Sequence, residues 1–152
     1  MSSQEFRQAM GKFSTGVTVV TGQINGHIHG MTVNAFMSVS LDPQLITISL
    51  DQKTKMYKHA DELQRFGVSI LREEQEDVSM IFAKQVDEPF EDFTTLDGVS
   101  VINNALTTLA CTVINSVEAG DHMLLIAEVD EIDLRDGKPL IYYDRAYRKI
   151  ID

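Results

Sequence analysis

From Phe13 to Leu41 the chain carries no Asp, Glu, Lys or Arg, although charged residues make up 24% of the whole. A solvent face would normally include charges, so their absence sets this stretch apart from the rest of the chain. Its local pattern is extended. Gly16-Val17-Thr18-Val19-Val20-Thr21 is rich in β-branched residues and predicts a strand. Asn25-Gly26 is the dipeptide that most readily supplies the positive φ values of a tight hairpin. The return strand is expected to run from Ile28 towards Ser40, with a bulge at Gly30. On it Met31, Val33, Ala35, Met37 and Val39 would point one way, and Thr32, Asn34, Phe36, Ser38 and Ser40 the other. A dry core face would not carry three hydroxyls and an amide. An uncharged face of hydrogen-bonding groups fits a large, flat, mostly neutral ligand whose edge atoms need donors and acceptors. It also fits a Thr/Ser strand buried against another sheet, each hydroxyl bonded to nearby backbone. The residues alone leave both readings open.

The flanking segments set the architecture. Ser2 and Glu5 have capping-box spacing ahead of a helical stripe of Phe6, Ala9, Met10 and Phe13. Asp42-Pro43 breaks the chain, after which Ile46, Ile48 and Leu50 alternate as a further strand. A helix is expected from Thr54, with Met56, Ala60 and Leu63 inward, followed by a strand at Phe66, Val68 and Ile70. A short acidic helix should cover residues 73–83, with Val78, Ile81 and Phe82 facing the core. Residues 84–104 read as irregular and acidic. The second half is mostly strand, over 106–117, 122–134 and 140–143, with turns at Ala119-Gly120-Asp121 and Asp136-Gly137. Strands joined by hairpins, with few helices between them, predict a mainly β (α+β) fold whose antiparallel sheet closes into a barrel. A doubly wound α/β sheet fits less well, because only 45–83 alternates strand and helix. No linker interrupts the chain, so residues 1–152 are expected to form a single domain.

Charge narrows the function. A net charge of −10 argues against nucleic acid and against anionic lipid as partners. No apolar run approaches the roughly 20 residues of a membrane helix, and the N-terminus shows no secretory pattern. A single cysteine, Cys111, forms no internal disulfide and fits a cytoplasmic location. Lys53-Thr54-Lys55, with Lys58, puts the densest positive charge at a predicted helix start. Either a phosphate binds there, or the patch is simply solvated. Gly120-Asp121-His122 places an imidazole at a hairpin, where it can polarise a ligand or merely suit the turn. His27 and His29 share a strand face, but without a third ligand at useful spacing no metal is expected. The chain has no G-x-G-x-x-G, G-x-S-x-G or H-E-x-x-H. An enzyme of this kind would take its chemistry from a bound cofactor, with no catalytic side chain of its own.

Four ordered segments resemble the flavin reductase-like domain family, the FMN-binding split barrels. They are Phe6 to Thr21, Gly30 to Pro43, Gly120-Asp121-His122, and Pro139-Leu140-Ile141-Tyr142-Tyr143 with Tyr147. Within it the chain looks like the small reductase components of two-component phenol or 4-hydroxyphenylacetate hydroxylases. The resemblance implies an antiparallel split β-barrel with a few peripheral helices, a homodimer, and FMN or FAD as cofactor. It implies flavin contacts at Thr32, Val33, Asn34 and Ala35 for the ring and at Ser38, Val39, Lys53, Thr54 and Lys55 for the ribityl phosphate. Phe82 and Ala83 would line the pocket, and His122, Tyr147 and His29 would meet NADH or NADPH. The implied activity is NAD(P)H:flavin oxidoreduction that supplies reduced flavin to a separate oxygenase. A non-catalytic flavin-binding electron carrier and a pyridoxamine phosphate oxidase-like enzyme are the alternatives on the same barrel.

Overall fold

The computed structural model describes residues 1–152. It opens with α1 (Ser3–Gly11), where Ser2 Oγ accepts from the Glu5 N–H at 3.0 Å and Glu5 reaches back to the Ser2 N–H. Strands β1 (Thr15–Gly16), β2 (Thr18–Ile24), β3 (His27–Val33), β4 (Phe36–Leu41) and β5 (Gln44–Asp51) follow. Next come α2 (Lys55–Lys58), a 3-10 turn, β6 (Arg65–Ile70) and α3 (Glu76–Phe82). The second half holds β7 (Phe93–Leu96), β8 (Val99–Ile102), β9 (Thr107–Ala119), β10 (His122–Leu134), β11 (Ile141–Tyr143) and β12 (Ala146–Arg148).

Seven strands form one antiparallel sheet in the order β3-β2-β6-β9-β10-β5-β4. Its two edge strands are consecutive in sequence and are joined only by Asn34-Ala35. Two residues cannot span a flat seven-stranded sheet, so the sheet must roll until its edges stand side by side. The edges do not pair with each other, so the barrel is split along this seam and not closed. The uninterrupted return strand expected to reach Ser40 is therefore corrected. Val33 pairs with Thr18 at the start of β2, where the partner strand runs out. Beyond it the chain crosses to β5, and the Ala35 carbonyl accepts from the Ser49 N–H at 3.1 Å.

Other expectations shift for local reasons. Gly30 makes no bulge, since the β2–β3 register is continuous; the irregularity lies between Ser38 and Ser40. Gly30 is small because a Cβ there would stand 2.5 Å from the Phe82 ring. Residues 84–104 contain a hairpin, β7–β8, turning at Asp97-Gly98 with φ of 48° and 84°. Arg65 donates to the Asp97 carboxylate at 2.9 Å and fastens that turn to the sheet. The helix expected from Thr54 is one turn long, and the chain tightens to 3-10 at Ala60–Glu62. Met56 and Leu63 nevertheless plug the barrel interior with Val20, Ile48, Leu50 and Phe66. In α3 the fully buried residue is Ser79, while Val78 and Phe82 pack on a second cluster of Val17, Val19, Leu71 and Leu140. The apolar stripe of α1 does not face this chain's core: Phe6, Met10 and Phe13 are exposed.

Candidate functional site

The split in the barrel is where the uncharged segment and the lysines meet. A hollow of about 470 Å³ lies over the end of β3, with His29, Gly30 and Thr32 along one wall. Lys53, Thr54 and Lys55 from the β5–α2 turn form a second wall, and Phe82, Ala83 and Lys84 close it from the end of α3. An adjoining cavity of about 170 Å³ shares Thr32 and Ala83 and adds Asn34, Ser79, Tyr142 and Tyr147. A wider hollow of about 840 Å³ shares Asn34 and continues past Ala35, Phe36 and Met37 to the apolar side of α1. The three make one cleft.

Thr32, Asn34, Ala35, Lys53, Thr54, Lys55, Phe82, Ala83, Tyr147 and His29 all line this cleft. Val33 is turned into the core beneath it, 5% exposed. Ser38 and Val39 are exposed on β4, outside the three hollows. His122 begins β10 opposite Asp51, beside the Lys53 turn, and lines none of the three hollows. Its Nδ1 lies 2.8 Å from the Asp121 carboxylate. That hydrogen bond, then the charges of His122 and Lys53, hold the Asp121 carboxyl below its ordinary value. Gln52 N–H donates to the Asp121 carbonyl at 3.0 Å, which ties the histidine hairpin to the lysine turn.

Positive charge in the cleft is uncommitted. Lysine salt bridges occur at Lys12–Asp144, beside α1, and at Lys138–Asp152, and none involves Lys53, Lys55 or Lys84. The backbone of the turn is occupied: Asp51 accepts from the N–H groups of Lys53 and Thr54. The Thr54 hydroxyl donates to the Asp51 carbonyl and accepts from Tyr57 N–H. With α2 only one turn long, anion affinity here rests on ammonium groups more than on a helix dipole. His29 feels the same field. Burial first, then Lys55, His27, His59 and Lys84, push its imidazole below the ordinary value of 6.5. Cys111 takes no part: it is fully buried, and its thiol is pushed up to about 12 by burial.

Several site residues carried no signal in the sequence. Phe90 and Phe93, from the stretch expected to be irregular, back the expected Phe82 where it stands over Gly30: Phe82 and Phe90 meet edge-to-face at 5.1 Å, as do Phe90 and Phe93. Lys84, at φ 60°, follows α3 in the left-handed conformation. Ser79 Oγ stands 2.6 Å from Tyr147 Oη, and its carbonyl accepts from Thr32 Oγ1 at 2.7 Å. A serine in an acidic helix gives no hint of this role in the sequence. The Asp97-Gly98 dipeptide between Thr94-Thr95-Leu96 and Val99 was a legible signal for β7–β8.

The flavin reductase like domain matches residues 10–150. An NADH-dependent flavin reductase of a Rhodococcus species is 42% identical over 148 residues, covering 95% of this chain and 84% of its own length. The reductase component of 4-hydroxyphenylacetate 3-monooxygenase from Thermus thermophilus is 35% identical over 149 residues, covering 97% of each. The solved structure of the flavin reductase PheA2 in its native state is similar at a TM-score of 0.96 and 44% identity, with all of both chains covered. The rolled, split sheet, the cleft at its seam and the match over nearly the whole chain agree, and the chain belongs to the flavin reductase like domain family.

Proposed function

We propose that this protein is an NAD(P)H:flavin oxidoreductase that reduces FMN or FAD and releases it to a separate oxygenase component. One observation carries the reading: in a protein of net charge −10, a single cleft joins an uncharged hydrogen-bonding wall to unpaired lysines. That donor set fits a flavin, which has a neutral planar ring with polar edges and an anionic phosphate tail. The bound flavin supplies the hydride acceptor, and NADH supplies the hydride. Thr32, Asn34 and Ala35 bed the ring, with Val33 supporting them from the core side. Phe82 and Ala83 exclude water from it. Lys53 and Lys55 hold the phosphate; the Thr54 hydroxyl fixes their turn, and Ser38 and Val39 flank the ribityl chain along β4. His122, oriented by Asp121, binds NADH with Tyr147 and His29. No proton has to move through a side chain, so positioning is the protein's main contribution.

The same reading includes a homodimer. No residue of α1 is buried, and its apolar stripe faces a broad hollow beside exposed Met37. A second copy would cover that face. The lone, buried Cys111 suits the cytoplasm, where we place the protein.

The experiment is a fluorescence titration with FMN and riboflavin. Lys53→Ala and Lys55→Ala should each weaken FMN by about 1–2 kcal/mol, as for the loss of one charge-assisted contact. Riboflavin, which has no phosphate, should be nearly unaffected. Equal losses for both ligands would remove the lysines from the phosphate site.

A further inference from the structure

Hydrogen-bond polarity inside the smaller cavity points to a role for Ser79 and a chemical preference for its wall. Thr32 Oγ1 donates its only proton to the Ser79 carbonyl at 2.7 Å. The acceptor is a carbonyl, so the direction is fixed, and Thr32 offers the cavity lone pairs alone. Ser79 is fully buried, and Tyr147 Oη, at 2.6 Å, is its hydroxyl's one partner. A buried hydroxyl proton without an acceptor is costly, and the reverse direction would leave the Ser79 proton with none, so we assign Ser79 as the donor to Tyr147. The Tyr147 proton is then free. It lines the same cavity as Thr32, and this hydroxyl becomes the donor there. One buried serine thus holds an acceptor and a donor that line one cavity, on residues 115 apart in the chain.

We propose that this wall reads an amide edge, a carbonyl beside an N–H, and that Ser79 is the positioning residue that fixes its polarity. The proposal rests on the flavin reductase reading. Two ligands of that reaction carry such an edge: the nicotinamide carboxamide of NADH and the imide side of the flavin ring. Each has an analogue that keeps the carbonyl and lacks the N–H. They are reduced 3-acetylpyridine adenine dinucleotide and N3-methyl riboflavin.

The test compares each natural ligand with its analogue, using steady-state kinetics for the nicotinamides and fluorescence titration for the flavins. Wild type should prefer the amide-bearing member of one pair by about tenfold, the loss of one hydrogen bond. Thr32→Val should bring that ratio close to one, and Thr32→Ser should restore it. The pair that responds identifies the ligand. Tyr147→Phe should weaken both members of that pair equally and leave the ratio unchanged. Ser79→Ala combined with Tyr147→Phe should cost no more than Tyr147→Phe alone, because both act through one proton. Should Thr32→Val fail to fold, Thr32→Ala serves the same comparison. Wild-type indifference within both pairs overturns the proposal, as does a ratio that survives loss of the Thr32 hydroxyl. Additive losses in the double variant overturn the role of Ser79. The flavin arm needs binding only, so an amide preference there without NADH oxidation would sink the reductase reading and spare this one.

Discussion

His29 stands where positive charge is most concentrated, and its titration follows from that. Its imidazole is held below 6.5 by burial and by Lys55, His27, His59 and Lys84. A folded-state value below the unfolded one means the unfolded chain takes up its proton first. His29 therefore weakens the fold as pH falls through 6.5 towards its lowered value, and is neutral in its effect above that window. An anion bound among the lysines offsets their field and raises the His29 value, so binding takes up a proton. FMN affinity should accordingly rise as pH falls from about 8 to about 6, the lower bound being set by the phosphate's own second ionisation. Riboflavin affinity should stay flat over the same range, and His29→Gln should flatten the FMN curve. A wild-type FMN affinity that is constant with pH would detach His29 from the anion.

Among the elements, the contact most sensitive to added volume lies between β6 and β8. A Cβ on Gly67 would meet the Ser100 carbonyl at 2.6 Å, Val101 Cγ1 at 2.7 Å and Thr21 Oγ1 at 2.8 Å. That carbonyl accepts the Thr21 hydroxyl, so neither side can yield cheaply. Gly67→Ala should cost about 1–3 kcal/mol of stability in chemical denaturation, the range for overpacking. A midpoint equal to wild type would show that the β7–β8 hairpin floats freely over the sheet. The same elements explain which parts of the fold were legible in the sequence. Asn25-Gly26, Gly120-Asp121 and the Ser2/Glu5 box act within a few residues, and each lies where its chemistry predicts. The break at Asn34-Ala35 depends on where β2 starts and on a change of partner to β5, which no local pattern records. The β11–β12 turn uses Asp144 and Arg145 at positive φ without a glycine, so nothing in the sequence announced it. In the cleft, Thr32, Asn34 and the lysines stood out by composition. Ser79 and Lys84 did not, because their roles come from tertiary neighbours alone.

Taken whole, the molecule exposes an apolar face that its own core does not use: Phe6 is 52%, Met37 58% and Phe13 79% exposed. Stable dimers bury on the order of 1,200–2,000 Å² in total, with apolar side chains at the centre of the contact. Sedimentation should therefore report a dimer, and Phe6→Glu with Met37→Glu should shift it to monomer. A wild-type monomer at micromolar concentration would mean that face serves another partner. The reaction itself is tested most directly by mixing the purified protein with NADH, without oxygen, in the presence and absence of added FMN or FAD. Flavin reductase activity predicts that NADH absorbance falls together with the flavin's visible band, in proportion, and only when flavin is present. Flavin that binds and stays oxidised with both NADH and NADPH would contradict it and leave a carrier in its place.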